Sequence, residues 1–554
     1  MNRFACLVLL FFSLFAQAQN VQSPLDIPLL LSGNFGELRH NHFHAGIDFK
    51  TQGRTGLPVK SVKEGFISRI SVSPYGYGRA VYINHPDGTT SVYGHLDDFA
   101  SKVKVAVVDS QYQKESFAVN LLFTSEQFPL KQGEVFGYSG NTGSSGGPHV
   151  HFEFRETDTD KPIDPLPYFK NRIKDTRPPE IRGIMLFPLQ GRGIVNGNSS
   201  NQPIALDKDK SGKQVIGTTI NAWGRIGVGI KAYDRMNETT NIYGVNEIIL
   251  TVDGEKMYHS VMDAFSFDDT RYLNTYIDWA DWIENNSFYM KSFTDPGNRL
   301  GVNRAFSDGI IDINEERVYR LEYQLKDIYD NTTILTFNIE GKEDSIPRPP
   351  SSEVRFRYNR NNKYNEKGID LAIPWKNLYT NLYFDVDTIN GFSPFAPLYV
   401  IGERVPLHTY CPLILDITND SYSDKSKYGV VHVYKKKRTW LGGEYAEGKI
   451  STKIRELGSF SVQIDTVPPV ITPVNAAKWE ANRRISFKIT DNLSGIESYR
   501  GTLNGEFILF EYDAKTNSLF YIYDSERMTT GNKNLKLVVI DRAGNKAEYE
   551  KISL

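Results

Sequence analysis

Two stretches of this chain repeat one another in the same order, and the repeat constrains the fold more than any other feature. Asp175-Thr176-Arg177-Pro178-Pro179 returns as Asp465-Thr466-Val467-Pro468-Pro469. Thr251-Val252-Asp253-Gly254-Glu255 returns as Thr502-Leu503-Asn504-Gly505-Glu506, and Asp327-Ile328-Tyr329-Asp330-Asn331 as Asp541-Arg542-Ala543-Gly544-Asn545. Paired prolines exclude helix and favour extended linkers. Short apolar runs between glycine and asparagine turns read as strands. The repeat therefore predicts one β-sandwich module used twice. The first copy is longer, and its extra length includes the aromatic stretch from Tyr272 to Trp282.

The chain has 554 residues, well beyond the ~250–300 at which a single core stops growing. Pro347, Pro349 and Pro350 mark a further linker, so residues 351–464 form a third β module of open type. The expected organisation is a signal peptide at 1–18, an N-terminal domain at 19–170, β-sandwich modules at 176–345 and 466–554, and the module between them. The predicted fold class is all-β. The 31 tyrosines and 32 phenylalanines suit strands.

Arg3, the apolar run from Leu7 to Phe15 and Ala16-Gln17-Ala18 read as a cleaved export signal. The apolar run is too short to span a bilayer, and no later segment predicts a transmembrane anchor. Only Cys6 and Cys411 occur, so neither a disulfide framework nor a cysteine-based zinc finger is available. Any metal site must use His, Asp and Glu. A net charge of -2 gives no basic field, which argues against nucleic acid as a partner. Lys435-Lys436-Lys437-Arg438 reads as a solvated strand end, or as a contact for anionic envelope polymers.

Seven of the ten histidines precede residue 152: His40, His42, His44, His85, His95, His149 and His151. In Phe43-His44-Ala45-Gly46-Ile47-Asp48 a spacing of four puts His44 and Asp48 on one face of a strand or of a helix, and Gly46, Ile47 and Phe49 favour the extended form. In Gly147-Pro148-His149-Val150-His151-Phe152-Glu153 a spacing of two points both imidazoles to one side, with Val150 toward the core. Tyr93-Gly94-His95-Leu96 is the third pattern. Two histidines and a carboxylate suit a catalytic zinc, which takes three protein ligands and lowers the pKa of its bound water toward ~7. Each pattern alone has a bland reading, since His-x-His is common in strands and a single histidine is often a satisfied core residue. His85 is expected to face solvent from the turn His85-Pro86-Asp87-Gly88 between two strands. His40 and His42 are either cleft residues or bystanders. Gly143-Ser144-Ser145-Gly146-Gly147 lacks the Walker pattern and reads as a tight loop delivering His149. No long helix is expected in 31–170. Residues 97–130 read as an insertion that forms a wall of the cleft.

Taken together, residues 31–170 resemble the catalytic domain of the M23 family of zinc metallopeptidases, the lysostaphin and LytM type. The resemblance rests on His44-x-x-x-Asp48, His95-Leu96 and Gly147-Pro148-His149-x-His151-Phe152-Glu153. Gly56-Leu57-Pro58-Val59, Gly133-Glu134-Val135-Phe136-Gly137 and Ser139-Gly140-Asn141-Thr142-Gly143 lie between them. It implies a LytM-type antiparallel β catalytic domain followed by two to three β-sandwich modules. It implies Zn2+ on His44, Asp48 and His151, with His95 and His149 acting on the water and the transition state. The implied activity is hydrolysis of peptide bonds in peptidoglycan stem peptides or cross-bridges, in an exported protein of the periplasm or cell surface. The repeated modules resemble bacterial immunoglobulin-like domains, for which an envelope protein partner is the expected role. The rival readings are a non-hydrolytic envelope-binding or regulatory protein that keeps its zinc site, and a peptidase for proteins outside the wall.

Overall fold

Strand-forming runs interrupted by glycine and asparagine turns build most of the regular structure among the described residues, as a computed structural model shows. It describes residues 21–304, 307–349, 351–524, 527 and 533–552. The predicted signal peptide lies outside the described residues. No helix among them is long and apolar enough to cross a membrane.

The N-terminal sheet contains β1 (Leu31–Gly33), β2 (Ile47–Lys50), β3 (Gly65–Val72), β4 (Arg79–Asn84) and β5 (Thr89–Leu96). Beyond α1 (Ser101–Gln113) follow β6 (Val119–Leu122) and β7 (His149–Glu156). Their order is β1-β2-β7-β5-β4-β3-β6, every pair antiparallel. The Pro-Asp-Gly turn joins β4 to β5 as a hairpin, with Asn84 opposite Thr90. Alternation on β7 sorts its side chains cleanly. Val150, Phe152 and Phe154 are fully buried on one face, where Phe152 meets the rings of Phe49, Tyr93 and Phe169. His149, His151, Glu153 and Arg155 occupy the other.

Three expectations are corrected here. A helix, α1, does form within 31–170. Its run Val103, Val105, Val107, Val108 is β-branched and weakly amphipathic, so it imitates a strand. The segment 97–130 does not wall the cleft, because β6 and Pro129–Leu130 pair with β3, at the far side of the sheet from β2 and β7. His85 does not face solvent. It is buried, with Nδ1 2.7 Å from the Glu64 carbonyl and Nε2 2.7 Å from Ser91 Oγ.

In the next module the sheet is centred on Glu180–Val195, Asn221–Tyr233, Thr332–Gly341 and Val318–Lys326. The aromatic insertion there forms two short helices, Leu273–Tyr276 and Trp279–Asn285. Residues 354–464 form a further antiparallel sheet built on the long strands Leu398–Asp416 and Lys449–Ile464. The last module pairs two four-stranded sheets over one core containing Phe487 and Leu519 from one sheet, Leu503 and Leu537 from the other. The chain separates into two compact units. One runs to residue 349 except for 109–117 and 295–297, and the other comprises those segments and the chain from 350.

Candidate metal centre

Register builds the site. On β7, His151 lies directly opposite Asp48 of β2, and on its other side opposite Gly94 of β5. The alternation of β7 adds His149 two residues earlier on the same face. His44 enters from the turn before β2. The atoms His44 Nε2, Asp48 Oδ1 and His151 Nδ1 stand 3.0 Å (His44 to His151), 2.9 Å (His151 to Asp48) and 3.2 Å (His44 to Asp48) apart. All three residues are buried.

The outward nitrogens fix the tautomers. His44 Nδ1 donates to the Asn34 carbonyl at 2.7 Å, and His151 Nε2 to Glu153 Oε1 at 2.7 Å. The inward nitrogens are then lone pairs, and they face a carboxylate oxygen. With both rings neutral, three acceptors converge on one point, an arrangement that a bound cation, or a proton on His151, satisfies. Tetrahedral zinc with bonds of about 2.0–2.1 Å has ligand–ligand edges of about 3.3 Å, close to the observed triangle. The residues therefore fit a metal ion, and zinc by size and donor type. The charges agree. Burial disfavours ionisation of Asp48, but His44, His149 and His151 outweigh it and hold its carboxyl well below the usual range. Burial alone would lower His151, but its bonds to Asp48 and Glu153 raise it to about 9. A point that so favours a proton favours any positive charge.

His95 and His149 stand beside this triangle. Their ring centroids are 4.8 Å apart, and His95 is 5.9 Å from the His151 ring. His95 Nδ1 donates to the Thr142 carbonyl at 2.8 Å, and His149 Nδ1 to the Gly147 carbonyl at 2.8 Å. His149 Nε2 lies 3.4 Å from Asp48 Oδ1. His95 holds a left-handed backbone with φ 61°, a strained conformation for a residue with a Cβ. Burial, then the neighbouring His151 and His149, lowers His95 to about 3.

The structure thus brings together all five residues singled out in the sequence. His40 and His42 contribute no atom to the cluster. His40 lies near Trp279 and Trp282, and His42 Nδ1 is bonded to the His40 carbonyl. Sequence reasoning missed the supporting shell. Glu153 Oε1 also accepts from Tyr77 at 2.5 Å, and its Oε2 accepts from Arg155 Nε at 2.6 Å. Burial opposes its charge, but Arg155 and His151 hold Glu153 at about 2. Arg39 stands 3.5 Å from the other oxygen of Asp48. Asn34, which orients His44, is itself gripped by the following module: its Nδ2 donates to the Gly244 carbonyl and its Oδ1 accepts from the Gly244 amide, both at 2.9 Å. A cleft of about 540 Å³ opens beside Asp48 and His149, lined by Arg39, Lys50, Gly146, Pro148 and also Asn241 of that module.

Residues 42–165 match Peptidase family M23, and residues 353–465 match the Zu5-like domain. The chain is 30% identical over 141 residues to the DD-carboxypeptidase/endopeptidase Mpg of Neisseria meningitidis serogroup B, covering 24% of this chain and 26% of that protein. It is 30% identical over 131 residues to lysostaphin of Staphylococcus simulans, covering 23% of this chain and 22% of that protein. The chain thus spans about a quarter of the length of these curated relatives. The solved catalytic domain of lysostaphin from Staphylococcus simulans shares 24% identity with a TM-score of 0.19, covering 25% of this chain and 91% of that one.

Proposed function

We propose that the M23 peptidase domain at residues 42–165 makes this protein a zinc-dependent endopeptidase that hydrolyses peptide bonds in peptidoglycan stem peptides or cross-bridges. The observation that carries the reading is the triangle of three lone-pair atoms on His44, Asp48 and His151, flanked by two further imidazoles. A zinc ion held by those three would supply Lewis acidity and lower the pKa of water toward ~7.

The chain's own residues do the rest. The outward bonds to Asn34 and Glu153 hold His44 and His151 in the ligating tautomer. His149, with its Nδ1 proton fixed on Gly147, presents Nε2 to take the proton of the attacking water and return it to the leaving amine. His95, kept neutral by burial, orients the water and the carbonyl rather than titrating. The cleft beside His149 receives an extended peptide, and Arg39 and Lys50 on its wall suit the carboxylates of such peptides. The protein is exported and works in the periplasm or at the cell surface, where the later β modules bind an envelope partner.

Purified sacculi incubated with the zinc-loaded protein should release peptides with new termini, read by mass spectrometry, and a chelator should abolish the release. Zinc-bound protein that binds sacculi yet releases nothing would replace this reading with the non-hydrolytic one. Fragments from a protein substrate alone would replace it with a peptidase acting outside the wall. His95→Ala should retain zinc and lower the turnover of sacculi by about 10²–10⁴-fold. An unchanged rate would remove His95 from the chemistry.

A further inference from the structure

Each of the two repeated modules carries a knot of three aspartates where its linker enters. In the first, Asp175, Asp234 and Asp327 each bring a carboxylate oxygen within 4.8 Å of the others; in the last, Asp465, Asp491 and Asp541 do the same. The members correspond in order. Asp175 and Asp465 open the Asp-Thr-x-Pro-Pro linkers, and Asp327 and Asp541 open the matching turns that end in asparagine. Asp234 and Asp491 follow strands Asn221–Tyr233 and Arg484–Thr490. The third position shares with its counterpart only a lysine three residues earlier, Lys231 and Lys488, yet the fold brings it to the same place twice.

Part of each knot is satisfied by backbone. Asp327 Oδ1 accepts from the amides of Tyr329 and Asn331, and Asp541 Oδ1 from those of Ala543 and Asn545. Their second oxygens accept from Asn331 and Asn545, and amides also reach Asp175 Oδ1, both oxygens of Asp465 and Asp491 Oδ2. Three buried oxygens are left. Asp234 is 2% exposed and Asp175 6%, and Asp234 Oδ1 and Asp175 Oδ2 have no hydrogen-bond partner. Asp491 is half-buried, and its shielded Oδ1 also has no partner. Among the described residues no lysine or arginine forms an ion pair with any of the six. Buried carboxylate oxygens without a donor, in a cluster without a counter-charge, are costly. Burial, then the neighbouring Asp327 and Asp175, pushes Asp234 up to about 8.

We propose that each aspartate triad is a calcium-binding site. The donors are all oxygen, which selects a hard cation over zinc. Oxygens ligating calcium at about 2.3–2.6 Å can stand up to about 5 Å apart, wider than the octahedron of magnesium permits. The unpartnered oxygens supply the missing acceptors for such an ion. Each ion would tie a linker to its module. In the first, Tyr329 and Thr333 already donate to the carbonyls of Ile173 and Pro179. In the last, Asn545 donates to the Asp465 carbonyl and Lys427 to that of Ala543. Calcium would thus fix the angle at which consecutive modules meet. The proposal does not depend on peptidase activity.

The test uses the full chain, stripped of metal and reloaded with one equivalent of zinc. Calorimetric titration with calcium should give two ions per chain. Asp234→Asn and Asp491→Asn should each remove one, and the double variant both, with zinc content unchanged as the sign of an intact fold. Saturating calcium should raise the unfolding midpoint by about 5 °C or more. A chain that takes up no calcium, with Asp234→Asn raising the midpoint by relieving carboxylate repulsion, would overturn the proposal and leave hydrogen-bonded acid clusters. One ion, lost in only one variant, would overturn it for the other triad.

Discussion

Replacing His151 with alanine is expected to remove the metal and to cut peptide release from sacculi by on the order of 10³-fold or more. His151 supplies one of only three converging protein atoms, and it stands opposite Asp48 in the sheet, so no neighbour can slide into its place. Loss of a mere orienting partner typically costs 10–100-fold in metal affinity or activity, and a direct ligand must cost more. The side chain faces away from the apolar layer of Phe152 and Phe154, so the fold should survive. Zinc content by elemental analysis and product release by chromatography give the two readouts. A variant within tenfold of the parent would contradict the three-ligand centre.

Glu153→Ala is expected to strike stability and the site together. Glu153 is fully buried, and Arg155 is 3% exposed. Removing the carboxylate strips the Nε partner from Arg155, leaving it Asp160 and a long contact to Tyr77. Breaking a buried pair in this way costs about 3–5 kcal/mol. The same change frees the His151 ring, so metal affinity should fall by about 10–100-fold. Glu153→Gln keeps the shape and one acceptor, and should lose less of both. Denaturant unfolding of the metal-free chain and competitive zinc titration separate the two effects. A stability loss under about 1 kcal/mol with unaltered zinc affinity would show that Glu153 orients nothing.

The chemistry-bearing residues were legible because each sits in a dense local pattern, and alternation along one strand already sets His149 and His151 on a common face. What surrounds them was not legible. Arg39, Asn34 and Tyr77 reach the site from a short strand, a loop and a turn, and only the tertiary fold brings them near. His85 misled because a turn sequence fixes the backbone and not the direction of the ring, which folds inward onto Ser91. The helix at 101–113 hid behind β-branched residues whose strand preference is overridden by their surroundings. The repeat showed two of the three aspartates in each knot. Asp234 and Asp491 stayed unseen because a residue at a strand's end needs only the strand, not its neighbours, to hold its place.

The grip of Gly244 on Asn34 has a mechanical consequence. His44 hangs from the Asn34 carbonyl, and Asn34 hangs from a loop that belongs to the next module, which also bonds β1 through Tyr243 and Leu31. The N-terminal sheet therefore does not own the whole of its candidate metal site. A displacement of the second module is delivered through the paired Asn34–Gly244 bonds and the Asn34 carbonyl to one imidazole. Cutting the chain after residue 170 would sever that cable, and with it the means by which load elsewhere in the protein is felt at His44.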